Sequence, residues 1–442
     1  MRKLTILTIL TIVILPGCVK ELKPSDSEAP GNDLKAAAKP APPSPSILQW
    51  QKCFGSSSYD FGYAIAGNSD ASFVAGYTEG NNGNVSGNHG GQDALVIKTG
   101  LDGQLAWPNA KAIGGTNNDQ ANAIVATPDG GCLIAGQTYS NDGDITANHG
   151  GGDALLVKLS SSGAIEWEKT LGGSGYDRAW ALKATSDGGY ALAGQSASSD
   201  GDLSGVPGAD INTNSKVWIV KFNSAASIEW QRVIAFDGAK DDVAYAITQG
   251  PDDGYTIAGR TLSIDNNADI CVANVTSNGN VNWTKSIGGV GGDVAWGVAT
   301  SPAGDGYVVT GYSTSYNLII VKLGNDGSND WQKIFAGSTT GGIQGKAILP
   351  NSQGYIITGL TASKNGDIIA SKGSDDMFVL QVDANGNKIN SGVLGGKGSD
   401  ICRAVVALPD GSYVAAGQTD SNNGDVSGNH GLSDLWLVKF SF

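Results

Sequence analysis

The chain has 442 residues, 65 of them glycine, and a net charge of −14 on only 16% charged residues. Abundant Gly, Asn, Ser, Val and Ile, with little Leu, Glu or Lys, calls for short strands and many turns, hence an all-β fold. The acidic balance argues against a nucleic-acid partner, whose phosphates need a basic surface.

The first element in chain order is an address rather than part of the fold. Arg2 and Lys3 precede an apolar run, Leu4–Leu15, that is too short for a membrane span. Leu-Pro-Gly-Cys follows at positions 15–18 and resembles the lipobox of bacterial lipoproteins, in which the cysteine is lipidated and becomes the first residue. The resemblance implies a signal peptide over residues 1–17, lipidation at Cys18, and attachment to the bacterial cell envelope through the N-terminal lipid alone. An ordinary secretory signal is the alternative. The absence of Asp after Cys18 resembles outer-membrane sorting. Residues 18–45, rich in Pro, Ala, Ser and charge, cannot bury a core and read as a disordered tether.

From residue 46 a repeat takes over. Its anchor is an apolar stretch ending in glycine, at Gly76, Gly136, Gly194, Gly259, Gly311, Gly359 and Gly417, spaced 60, 58, 65, 52, 48 and 58 residues apart. Seven units follow from seven anchors. The third unit shows the parts: RAWALKAT, then the turn SDGG, then YALAGQS, a long loop, VWIVKF, a short turn and IEWQRVIA. These are four antiparallel strands with tight turns. A lone sheet of this kind cannot bury both faces, but seven arranged radially can, which predicts a seven-bladed β-propeller over residues 46–442. The chain ends on LWLVKFSF, a third strand, and the domain opens on ILQWQKCFG, which reads as a fourth. The N-terminal strand is therefore expected to complete the last blade and close the ring.

GGSGYDRAWALKATSDGGYALAGQS and GGTNNDQANAIVATPDGGCLIAGQT resemble the bacterial seven-bladed propeller repeat, across about residues 46–442. The resemblance implies fold and says little about activity, since these repeats share no catalytic motif. GQLAW, GAIEW and GNVNW are similar to the tryptophan-docked repeats of quinoprotein-type propellers. Trp50, Trp107, Trp167, Trp230, Trp283 and Trp331 are expected to pack between blades. Cys53, Cys132, Cys271 and Cys402 share no pairing register and read as buried free thiols.

Three sets of residues are candidates for chemistry. The only histidines, His89, His149 and His430, all occur as Asn-His-Gly in the loops joining strands two and three of adjacent units. Equivalent loops of neighbouring blades lie roughly 12–15 Å apart, given strands ~4.8 Å apart, so the three cannot share one metal. They read as one self-bonded loop used three times. The alternative is a Ca2+ in each loop, with Asp142, Asp144 and Asp153 as oxygen donors, although no copy has the full Asp-x-Asp-x-Asp-Gly spacing. No other cofactor is expected.

The second set is Asp60, Asp119, Asp177, Asp242, Asp293 and Asp400, each just before strand one; Ile343 replaces it in the sixth unit. These could ring the mouth of the channel, but the favoured reading has each carboxylate tying down its own turn. The third set lies three residues further on: Tyr63, Asn122, Trp180, Tyr245, Trp296, Lys346 and Arg403, each between small residues. A core position would not accept Lys, Arg and Asn as readily as Trp and Tyr, so these seven are candidates to line an axial pocket for a sugar or another polar ligand. Inter-blade packing is the alternative.

No nucleophile–base pair, metal spacing or phosphate loop is present. The expected function is an envelope-anchored binding module, acting as a monomer, that recognises a glycan or an envelope protein on the long-loop face. Two alternatives are a glycan-cleaving propeller, which needs paired axial carboxylates, and an outer-membrane assembly scaffold.

Overall fold

The structure is a computed structural model that describes residues 47–209, 214–236, 240–262, 267–337, 341–368 and 372–442. The expected signal peptide, Cys18 and the tether lie outside the described residues. The rest is an all-β propeller of seven antiparallel sheets, six of four strands and one of five. Among the described residues the only helical pieces are two single 3-10 turns, Gly201–Leu203 and Thr314–Tyr316.

The main strands of each blade run from the axis outward in chain order, except that the outermost strand of the last blade comes from the start of the domain. In the third blade the strands are Asp177–Ala184, Tyr190–Ser196, Lys216–Phe222 and Ile228–Ile234. The second and third strands of every blade face neighbouring blades on both sides, so they are apolar almost throughout: Asp153–Leu159 is buried at every position. The outermost strands face water on one side, and Val281–Ile287 alternates between exposed and half-buried positions. The core therefore lies between the blades. Leu133 and Leu156 of the second blade, for example, pack with Leu192, Trp218 and Phe222 of the third.

The ring closes as the two chain ends predict. Leu48–Phe54 pairs antiparallel with Asp434–Phe440, from Leu48 opposite Phe440 to Phe54 opposite Leu435. One departure from the four-strand expectation occurs in the first blade. There Val85–Ser86, within the long loop, pairs in parallel with the start of the outermost strand, Ala110–Ile113. Trp107 lies ahead of that shortened strand, not within it.

Tryptophans fasten six of the seven blades to the next; the outer strand of the sixth, Lys388–Leu394, has none. The indole N–H groups of Trp107, Trp230 and Trp283 donate to the carbonyls of Ser161, Ser277 and Asn325 at 2.9–3.0 Å. Trp283 lies against Gly327, whose φ of +78° and closeness to the ring both forbid a side chain. Trp50 and Trp331 lie against Gly103 and Gly386 in the same way, and Trp167 packs on the core between blades two and three. The four cysteines are buried free thiols; burial pushes those of Cys53, Cys132 and Cys402 up to about 12.

Candidate functional site at the propeller axis

Every innermost strand is interrupted at one place. The register shifts between Gly62 and Ala64, Ala121 and Ala123, Ala179 and Ala181, Ala244 and Ala246, Ala295 and Gly297, Gly345 and Ala347, and Cys402 and Ala404. The extra residues of these seven bulges are Tyr63, Asn122, Trp180, Tyr245, Trp296, Lys346 and Arg403. A bulge leaves one residue unpaired and re-aims its side chain. Here all seven are turned to the axis, where together with Arg178 they enclose a cavity of about 190 Å3.

The repeat-anchoring glycines have their cause in the same feature. Each pairs at the edge of a bulge, where the partner strand swings a carbonyl toward it. A Cβ on Gly194 would stand 1.9 Å from the carbonyl oxygen of Arg178, and one on Gly76 only 1.6 Å from that of Phe61. The glycine that makes the repeat legible is thus the steric condition for the bulge that builds the cavity.

The side chains form a continuous aromatic and cationic layer. Tyr245 stacks on Trp296 at 4.4 Å and meets Trp180 edge-on at 5.1 Å. The Arg178 guanidinium lies 3.6 Å from the centre of the Trp180 ring, Lys346 Nζ 3.9 Å from that of Trp296, and Arg403 4.8 Å from that of Tyr63. Arg178 donates to Gln120 and Asn122 at 2.9 and 3.0 Å, and Arg403 to Gln418 at 3.0 Å. None of the eight lining residues is Asp or Glu. Two buried donors in this layer, Arg178 Nε and Trp296 Nε1, have no hydrogen-bond partner among the described residues. Burial, with the nearby charge of Arg403, pushes the Lys346 ammonium down to about 7. Burial holds the phenols of Tyr63 and Tyr245 above their usual range.

The cavity lies toward the long-loop face, because Arg178 stands nearer that end of its strand than the bulge does. Beside it is a wider polar hollow of about 550 Å3 lined by Gln92, Thr116, Asn117, Asn118, Gln120, Gln137 and Tyr139. Gln120 joins the two spaces, donating to Gln92 at 2.5 Å while accepting from Arg178. Arg178 was not among the sequence candidates. The equivalent residues of other innermost strands, such as Phe61 and Val243, do not line the cavity, so the repeat pattern carried no signal for it.

The six repeated aspartates do not reach the cavity. Asp119 accepts from Gly115 N at 2.8 Å, Ser140 Oγ at 2.8 Å and Thr138 Oγ1 at 2.5 Å. Asp60, Asp177 and Asp400 repeat this pattern with Ser56, Gly173 and Gly396 as backbone donors. Asp242 and Asp293 accept from Phe236 N and Gly289 N at 3.0 and 3.2 Å. All six are buried, and each clamps the turn entering its own strand. Burial raises the carboxyls of Asp60, Asp119, Asp177 and Asp242, and these hydrogen bonds oppose it.

The histidine loops are held from within. His89, His149 and His430 each place Nδ1 within 2.5–3.0 Å of the aspartate four residues on, Asp93, Asp153 and Asp434. Asn88, Asn148 and Asn429 donate to the carbonyls of Thr78, Thr138 and Thr419. The three Ca2+ candidates have separate partners. Asp142 accepts from Thr116 N and Oγ1, Asp144 from Gly114 N, and Asp153 from His149. Among the described residues no group of three or more His, Cys, Asp or Glu is placed to hold a metal ion.

No family model matches the chain, and no curated protein matches it. Solved structures with a similar course include the periplasmic gluconolactonase PpgL of Pseudomonas aeruginosa, at 13% identity and a TM-score of 0.48, over 86% of this chain and 99% of that one. Sqt1 from Chaetomium thermophilum matches at 13% identity and a TM-score of 0.45, over 88% and 99%. The Dos1 propeller matches at 9% identity and 0.46, over 88% and 95%. At such values no activity passes from these proteins to this chain. The class it can be assigned to is the seven-bladed β-propeller, on the evidence of its own sheets.

Proposed function

We propose that this chain is a binding module whose axial cavity takes a small carboxylate-bearing ligand, with a sugar acid at the end of a glycan as the best-fitting chemistry. The observation that carries this is the composition of the cavity wall. Three basic side chains, Arg178, Lys346 and Arg403, share it with four aromatic rings and no carboxylate. An acid-free wall of this kind leaves the positive charge to be answered by a ligand anion. The two unpartnered donors call for oxygen acceptors. The rings offer apolar faces of the kind that sugars cover. The adjoining amide-lined hollow suits the hydroxyls of further residues of a chain.

Glycan cleavage by paired carboxylates has no support at this position, since neither partner of such a pair lines the cavity. In the proposed setting, lipid at Cys18 would tether the module to the envelope. Incorporation of labelled fatty acid that disappears in Cys18→Ala checks that part.

Calorimetry of the full chain with glucuronate and with glucose tests the site. The acid is expected to bind and the neutral sugar not, with affinity for the acid falling roughly tenfold or more in Arg178→Ala. Equal binding of both sugars, or binding unchanged in that variant, would move the site away from the axis. A glycan array then extends the test to longer chains.

A further inference from the structure

Lys346, half-buried at the cavity, differs from the buried lysines of this propeller. Lys158, Lys221 and Lys322 are each held by two carboxylates at 2.7–3.2 Å and are pulled upward in pKa by them. Lys346 has no carboxylate or hydrogen-bond partner among the described residues, and its ammonium lies over the face of Trp296. It stands on a bulge of a paired strand, so its backbone is fixed, and its amine opens on a cavity that also holds Arg178 and Arg403.

We infer that Lys346 is a nucleophile that captures the carbonyl carbon of a small 2-oxo acid as an imine, while the arginines hold the acid's carboxylate. This rests on the reading of the cavity as an anion pocket. A 2-oxo acid carries its carbonyl carbon directly beside its carboxylate, so one small molecule can use both kinds of group in a cavity of about 190 Å3. The free amine attacks the carbonyl carbon, forming the C–N bond as the C=O π bond opens. Two protons from nitrogen end on the oxygen, which leaves as water, and a C=N bond remains. The step is neither oxidation nor reduction and reverses on hydrolysis.

Desolvation and a neighbouring cation are the recognised means of keeping a lysine amine uncharged and nucleophilic. Both operate here, through burial and Arg403. The other titratable groups on the cavity are Arg178, Arg403, Tyr63 and Tyr245. The two phenols stay protonated near neutrality, so the wall supplies hydroxyls and no competing negative charge.

The test is reductive trapping. The full chain is incubated with pyruvate, reduced with borohydride, and mapped by peptide mass. One reduced adduct on Lys346 is expected, formed roughly tenfold or more faster than on any surface lysine. Lys346→Met should lose it while melting no lower than the parent, and saturating lactate, which has the carboxylate but no carbonyl, should protect Lys346 in the parent protein. Labelling scattered over surface lysines, or none, overturns the inference. If lactate and pyruvate bind equally with no adduct, the imine is wrong and the anion pocket stands. If neither they nor glucuronate binds, both fail.

Discussion

Lys346 makes the protein's stability depend on pH in a definite direction. Its ammonium is pushed from the ordinary lysine value down to about 7 in the folded state. Between about pH 7 and pH 10.5 the unfolded chain holds a proton that the folded chain has released, so this group makes stability rise with pH. Below pH 7 the buried ammonium is a standing cost. Lys346→Met is therefore expected to raise the melting temperature at pH 6, and the gain should shrink to nothing by pH 10 when melting is followed across that range. Ligand binding should run the other way, because an anion prefers the ammonium; titrations at several pH values should show affinity falling as pH rises through about 7. Trp296 allows a cleaner separation of binding from folding. Its buried Nε1 has no partner among the described residues, so Trp296→Phe removes an unsatisfied donor and keeps a ring against Tyr245. The expected result is an almost unchanged melting temperature with binding of the acid weakened by about 1–2 kcal/mol.

The bulged strand is the unit that makes the cavity, and its glycine partner is the place to break it. An alanine at Gly194 would set its Cβ 1.9 Å from the Arg178 carbonyl, and this obstacle is backbone, which cannot swing away. Gly194→Ala should cost about 2–4 kcal/mol in a denaturant titration. Because Trp180 sits on that bulge, its fluorescence should shift with it. The outer strands give a contrasting case. Trp283→Ala removes a half-buried indole from the Gly327 turn together with its hydrogen bond to Asn325, and should cost roughly 2 kcal/mol without disturbing the axial cavity. Binding of the acid should survive this change and be lost in the first, a difference that calorimetry on the two variants would read directly.

At the scale of the whole molecule, stability depends on closure. Leu48–Phe54 is the outer strand of the last blade, and its pairing with Asp434–Phe440 joins the two ends of the described chain. Without it the seventh blade loses Cys53 and Phe54 from two core clusters, one of which is shared with the first blade. Deletion of residues 47–54 should replace one cooperative thermal transition with a broad, lower one, as in repeat arrays whose end units are uncapped. A single sharp transition in that variant would show that the ring does not need its clasp.

The blade count, the order of strands within a blade and the clasp were legible because they rest on local signals. Spaced glycines mark the bulges, alternation marks the strands, and three strands at one end with a fourth at the other mark the join. The seven bulge residues stood out by the same logic, since Lys346 and Arg403 occupy a position that Trp180 and Trp296 hold elsewhere. The six aspartates were expected to tie down their own turns rather than face the axis, and the positions of Gly115, Thr138 and Ser140 around Asp119 supply the hydrogen bonds that hold it there. Arg178 was missed because its reach to Gln120 and Asn122 crosses to a neighbouring blade. The sequence by itself determined what each strand is and which residues it turns inward, since periodicity and turn chemistry act over a few neighbouring residues. The tertiary structure alone decided that Tyr63 and Arg403, from opposite ends of the propeller sequence, share one wall, and that this wall holds three basic side chains and no acid. Such meetings depend on the ring's closure, which no local stretch of chain contains.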